Sequence, residues 1–181
     1  MMSELALNIL DIAQNSIRAE AKLVKIEVVE DDSKGSLLIT IHDNGKGMSE
    51  ELLASVTDPF ITTRSTRKIG LGISFFKQAA EMTGGTLTIK SKLNEGTSIS
   101  ASFDKVHIDC QPLGDIGATI VSLISLNPAI DFEFTYILNQ NEFVLKTEEI
   151  RQILGEDAAL GSPAVIEFLR EYIAEHIDSL R

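Results

Sequence analysis

The stretch from Leu37 to Met48 constrains the fold more than any other. Leu37 to His42 alternates in the manner of a strand and runs straight into Asp43-Asn44-Gly45-Lys46-Gly47-Met48. A strand that ends in Asp-x-Gly-x-Gly places one carboxylate at the mouth of a pocket. The glycines let the backbone turn sharply and let a flat ligand come close. A carboxylate held there can accept a hydrogen bond from an exocyclic amine such as adenine N6. The same hexapeptide is also an ordinary turn sequence, so the segments around it have to decide between the two readings.

Upstream, Ser3 to Glu20 has helical periodicity. Leu5, Ala6, Ile9, Leu10, Ile12, Ala13 and Ile17 form a broad apolar face, while Glu4, Asn8, Asp11, Asn15 and Arg18 form a narrow polar stripe. Asparagines compete for backbone hydrogen bonds and are middling helix formers, so their presence in one stripe suggests that it looks into a site. Leu23 to Glu30 is a strand, Asp32 to Gly35 a turn, and Ser36 to Asp43 the returning strand. Ser49 can cap a short helix over Glu50 to Val56. Thr57 to Ile69 has no period and carries Pro59, four threonines and the basic residues Arg64, Arg67 and Lys68; a loop of this length inside a compact domain reads as a lid. Gly70-Leu71-Gly72 opens a helix from Ile73 to Met82, and Thr86 to Lys92 and Thr97 to Phe103 close the region as two strands. The order helix, strand, strand, lid, helix, strand, strand predicts an α/β (α+β) two-layer sandwich, with helices on one face of a mixed sheet.

Charge divides the chain. Residues 1–104 carry 11 basic and 14 acidic side chains, residues 105–181 carry 5 and 13. The second part is therefore expected to be a small α+β appendage with its own solvated surface, joined through a linker at 105–112. Within it, Val106 to Asp109 reads as a strand, Leu113 to Leu126 as a helix, and Asp131 to Leu138 and Glu142 to Lys146 as a hairpin. Thr147 is placed as the cap of a helix ending near Gly155, and Ser162-Pro163 as the start of a last helix. No chemical motif is legible there. His107 and His176 read as ordinary surface or edge residues.

The net charge of −11 argues against binding nucleic acid or an anionic membrane. The lone Cys110 rules out an internal disulfide and a Cys-rich zinc site. No apolar run is long enough to cross a membrane and no signal peptide is visible, so a soluble, cytoplasmic protein is expected.

The helix, the strand end and the lid together form a plausible nucleoside triphosphate site. Gly70 and Gly72 let backbone amides close on phosphate at a helix N-terminus. Asn15 offers a neutral oxygen to Mg²⁺. Asp11, on the same helix face, could orient or deprotonate a water near the last phosphate, and Asp43 reads the adenine amine. Neither a P-loop sequence nor a dinucleotide-binding glycine pattern is present.

Four motifs in order then resemble one family, the GHKL ATPases of DNA gyrase, heat-shock chaperones, histidine kinases and mismatch-repair proteins. Asp11 to Ala19 resembles the N box, Asp43 to Met48 the first glycine box, Asp58 to Arg64 the lid motif of histidine kinases, and Gly70 to Ile73 the second glycine box, with Gly84 to Thr86 and Gly96-Thr97 following it. The resemblance covers about residues 4–103. It implies the Bergerat ATP-binding fold, with ATP and Mg²⁺ held by Asn15, Asp43, Gly45, Gly47, Met48, Thr62, Thr63, Arg64, Lys68, Gly70, Leu71 and Gly72. It also implies that Thr97 helps fix Asp43 or a water on the adenine.

Two departures stand out. Asp11 replaces the Glu of the hydrolysing branches, one methylene longer, and no histidine precedes the N box, so self-phosphorylation in cis is not expected. Three functions stay open: a kinase-type or ATP-switch regulator acting on a protein partner, a slow ATPase whose lid closure drives homodimerisation, and a module that binds ATP or ADP without turnover.

Overall fold

The computed structural model describes residues 4–57, 72–155 and 159–181. In chain order these form α1 (Leu5–Arg18), β1 (Leu23–Asp31), β2 (Ser36–Asp43), α2 (Glu50–Thr57), α3 (Gly72–Met82), β3 (Leu87–Lys92) and β4 (Gly96–Asp104). There follow α4 (Ile116–Leu126), β5 (Asp131–Leu138), β6 (Asn141–Lys146), α5 (Thr147–Leu154) and α6 (Pro163–Leu180). The strands make one six-stranded sheet in the order β3-β4-β2-β1-β5-β6. All its described pairings are antiparallel except β1 with β5, which run parallel from Leu23 opposite Asp131 to Glu30 opposite Leu138.

Strand alternation fixes the two layers. In β1 the side chains of Val24, Ile26 and Val28 are buried, and in β2 those of Leu37, Ile39 and Ile41, while Lys25, Glu27, Leu38 and His42 between them are exposed. The buried face meets α1, α3, α4 and α6 in a single apolar core, in which Leu5, Ile9 and Ile12 of α1 join Phe76 of α3, Ile120 of α4 and Leu169 of α6. Phe76 packs its ring against Phe103 of β4 at 5.6 Å. The expected two-layer sandwich is thus the fold. The hairpin β5–β6 continues the same sheet, and Phe132, Phe134 and Tyr136 belong to the same core. The charge changes at 104/105, but the sheet and core run across that point.

Several local expectations change. Val106 to Asp109 is a pair of turns: Val106 and Ile108 are 78% and 94% exposed, and no strand among the described residues pairs with them. Asp104 Oδ1 instead accepts the Val106 amide at 3.0 Å, which turns the chain. α4 begins at Ile116, three residues after the expected Leu113, since Asp115 Oδ1 caps it through the Ala118 amide at 2.8 Å. Thr147 is the first residue of α5 rather than its cap. Its hydroxyl turns inward to accept the Phe132 amide at 2.9 Å and to donate to Asp131 at 3.2 Å. Ser49 does cap α2, accepting the Leu52 amide at 3.3 Å, and Pro163 opens α6 as expected.

Candidate functional site

Asp43 ends β2 on the buried face, beneath the C-terminal half of α1, and is only 4% exposed. Both of its oxygens are held by neutral donors. Ser16 Oγ donates to Oδ2 at 2.6 Å and the Gly45 amide donates to Oδ1 at 2.9 Å. Each carboxylate oxygen keeps a further lone pair. Asp43 is part of the wall of a cavity of about 210 Å³ with Asn15, Ser16, Arg18 and Thr97 as polar neighbours and Ile12, Met48, Leu52, Ile73 and Ile99 as apolar ones. A concave site with mostly apolar walls and a few convergent polar groups is what a flat heterocycle requires.

The segment after Asp43 is a braced loop. Asn44 Oδ1 accepts the Lys22 and Leu23 amides at 2.8 and 2.9 Å, the Lys46 amide donates to Ala19 O at 2.8 Å, and the Asn94 amide donates to Lys46 O at 2.7 Å. Gly47 has φ +62°, and a Cβ there would lie 2.0 Å from the Lys92 carbonyl oxygen, so no other residue fits without moving the β3–β4 turn. The Lys46 ammonium pairs with Glu20 at 2.5 Å, which holds that exposed carboxyl below its ordinary value.

Ser91 ties the loop to β4. Its hydroxyl donates to Gly96 O at 3.0 Å and accepts the Met48 amide at 2.8 Å. Its single proton being used, the 2.8 Å contact with Thr97 Oγ1 is a donation from Thr97. The Thr97 oxygen is left as an acceptor in the cavity wall, on the strand position directly opposite Asp43.

The polar stripe of α1 divides among several neighbours. Asn15 and Arg18 line the cavity. The Asn15 Nδ2 is buried with no partner among the described residues, while its Oδ1 accepts from Arg18 Nη1 at 3.2 Å. Asp11 lies against the start of α3: a Cβ on Gly72 would come within 1.9 Å of Asp11 Oδ2, so the carboxylate needs a glycine at that first helical position. Asn8 is 1% exposed with its Oδ1 unpartnered among the described residues, and Glu4 packs on Gly114. Thr62, Thr63, Arg64, Lys68, Gly70 and Leu71, with the rest of the expected lid after Thr57, lie outside the described residues.

Two residues at the site were given no role from the sequence: Ser16, which stands inside the N-box stretch, and Ser91. Ser16 had a faint signal, a polar side chain four residues after Ile12 on the apolar side of α1. Ser91 had none, because a serine in an alternating strand is unremarkable. Of the histidines, His42 sits on the exposed sheet face and His107 in a turn, where Nδ1 accepts the Asp109 amide at 3.1 Å. His176 is no plain surface residue: it stacks on Phe143 with ring centroids 4.9 Å apart.

Residues 1–107 match the family described as histidine kinase-, DNA gyrase B-, and HSP90-like ATPase. The chain is similar to the sensor histidine kinase YvrG of Bacillus subtilis, at 30% identity over 50% of this chain and 16% of that protein. It is also similar to the C4-dicarboxylate transport sensor protein DctB of Pseudomonas aeruginosa, at 30% identity over 51% of this chain and 15% of that one. The match thus spans under a fifth of each relative's length. Among solved structures, the Aquifex aeolicus MutL ATPase domain complexed with ADP superposes with a TM-score of 0.51, covering 85% of this chain and 70% of that one. At 15% identity the likeness speaks to the fold alone. Among the described residues no helix is long and apolar enough to cross a membrane.

Proposed function

Because the chain belongs to the histidine kinase-, DNA gyrase B-, and HSP90-like ATPase family, we propose that it binds an adenine nucleotide with Mg²⁺ and acts through it on a protein partner, as a kinase-type or ATP-switch regulator. The observation that carries this reading is Asp43. A buried carboxylate held only by neutral donors, with lone pairs left over and a cavity beside it, suits an exocyclic amine that can only donate.

The other residues fit the rest of the ligand. Ile12, Met48, Leu52 and Ile99 would sandwich the base, and the Thr97 oxygen would accept from it or from a water at its edge. The Asn15 amide nitrogen, buried without a partner among the described residues, supports assigning the phosphates to its side of the cavity. Mg²⁺, when bound, would neutralise phosphate charge, and Asn15 Oδ1 is the protein oxygen assigned to it. That oxygen accepts from Arg18, so Arg18 would turn from Asn15 to a phosphate as metal and nucleotide arrive.

A second reading, slow hydrolysis, is favoured by Asp11. Its carboxylate lies against Gly72 at the α3 N-terminus, where phosphates would approach the helix, and from there it could take a proton from an attacking water. Incubation with γ-labelled ATP separates the readings. Label on a partner protein supports the kinase reading, and free phosphate lost in Asp11→Asn supports hydrolysis. Failure of the protein to retain ADP in equilibrium dialysis would overturn both.

A further inference from the structure

We propose that β6 and α6 form a docking surface for a basic, extended segment of another protein, which adds to β6 as a further strand. β6 is the margin of the sheet, paired on one side with β5 and on the other with no strand among the described residues. Edge strands of this kind offer a row of free backbone donors and acceptors. Phe143 of β6 points toward α6, and there a ladder of rings begins: Phe143 to His176 at 4.9 Å, His176 to Tyr172 at 4.1 Å, and Tyr172 to Phe168 at 5.5 Å. It ends in the open, since Phe168 is 50% exposed. On the opposite face of the strand Val144 is 42% exposed.

Charge says what kind of segment fits. Glu171 and Glu175 are exposed on the α6 face that carries Phe168, Glu142 is exposed on β6, and none of the three forms an ion pair among the described residues. Residues 105–181 as a whole hold 13 acidic and 5 basic side chains. A second copy of the chain would set acid against acid. A basic strand would place alternate arginines over the Phe168 and Tyr172 rings and within reach of Glu171 and Glu175, where one guanidinium can stack and pair at once. Its other side chains would continue the face of Val144 and are best small and apolar. The surface is separated from the Asp43 cavity by β5 and β1, so the proposal goes beyond the nucleotide reading and stands without it.

The test uses the full chain and two fluorescent peptides of equal charge, one alternating arginine and valine, the other arginine and proline. The second cannot complete a strand ladder. Fluorescence anisotropy should show the arginine–valine peptide binding and the arginine–proline peptide binding at least about tenfold more weakly. Phe168→Ala, and Glu171→Lys combined with Glu175→Lys, should each weaken the first peptide by a similar factor at unchanged melting temperature. Equal binding of the two peptides would reduce the effect to bare charge, and absence of binding or insensitivity to these substitutions would remove the surface; each overturns the proposal. So would a concentration-dependent dimer in sedimentation that Phe168→Ala abolishes, since a second copy would then be the occupant.

Discussion

Asp43 closes β2 and Glu30 lies near the end of β1, and because the two strands run antiparallel their side chains sit at opposite ends of the sheet. Both face the core, at 4% and 8% exposure. Their partners differ in kind. Asp43 is held by a serine hydroxyl and a backbone amide beside a cavity. Glu30 accepts from the Tyr136 hydroxyl and pairs with Lys105, which also reaches Asp32 at 2.6 Å, and Asn139 closes the group by donating to Asp32 at 3.2 Å. Burial, and then Glu30, push the Tyr136 hydroxyl well above its ordinary value. A buried charge that has its own cation is a finished joint; one with only neutral donors keeps acceptor capacity for a further donor beside it. The Glu30 joint also ties the two ends of the sequence together, since Tyr136 and Lys105 come from beyond residue 104.

The largest expected effect tests whether the two ends share one cooperative unit. Phe134 is fully buried on β5, touching Tyr136 and Phe143 at 6.4 and 6.2 Å. Phe134→Ala should cost about 3–5 kcal/mol of stability in a single urea transition that ring signals near β6 and nucleotide binding both follow. Two separated transitions would split the molecule at residue 104 and make the Asp43 end independent.

Next come mirror-image substitutions of the two carboxylates. Asp43→Asn should leave unfolding nearly unchanged and weaken ADP by roughly 1–3 kcal/mol, about fivefold to about 150-fold, because an amide can present a donor to the adenine amine. Glu30→Ala should do the reverse. It strands the Tyr136 hydroxyl and costs roughly 1–3 kcal/mol of stability, while ADP affinity in calorimetric titration stays put. Equal damage to binding from both would erase the distinction between an open and a closed carboxylate.

How much of this was legible in sequence follows the same divide. Asp43, Asn15 and Gly47 announced themselves because a strand end, a helical stripe and a glycine pair are local patterns, and the structure brings these residues to one cavity wall. Asp11 shared the stripe but meets α3 instead, because its rotation on α1 and the position of Gly72 depend on how two helices pack. The continuity of the sheet was hidden. β5 joins β1 in parallel with roughly a hundred residues between them, and such pairing leaves no local signature; charge composition, which was visible, suggested a boundary the sheet crosses. Glu30 looked like an ordinary last strand residue, since nothing nearby in sequence names Tyr136 or Lys105 as its partners.

A smaller effect sharpens the open end. Asn15→Ala removes the buried amide proposed to face the phosphates and leaves Asp43 with both its donors. It should weaken Mg-ATP several-fold, by roughly 1 kcal/mol, and adenosine hardly at all. Equal losses for both ligands would move Asn15 from the phosphates to the base.

The smallest effect belongs to the closed end and shows in acid. Asp31, next to Glu30, accepts from Lys34, from the Ser33 hydroxyl at 2.6 Å and from the Lys34 amide at 3.2 Å. Chiefly through Lys34 and then Ser33, its carboxyl falls from the ordinary 3.8 to about 2. A carboxyl with a depressed folded value favours the folded state fully above its ordinary value, and the advantage drains away as the pH falls through the folded value. The loss therefore lies between pH 3.8 and about 2. The group is partly exposed, so water and salt screen it and the change should be slight. Lys34→Met removes the first cause, so the Asp31 midpoint in an NMR titration should rise toward 3.8 and the variant should lose less stability across that window than the wild type. An unmoved midpoint would mean that the turn amides and Ser33 hold Asp31 by themselves. The closed end would then resemble Asp43 more than the contrast of the two carboxylates allows.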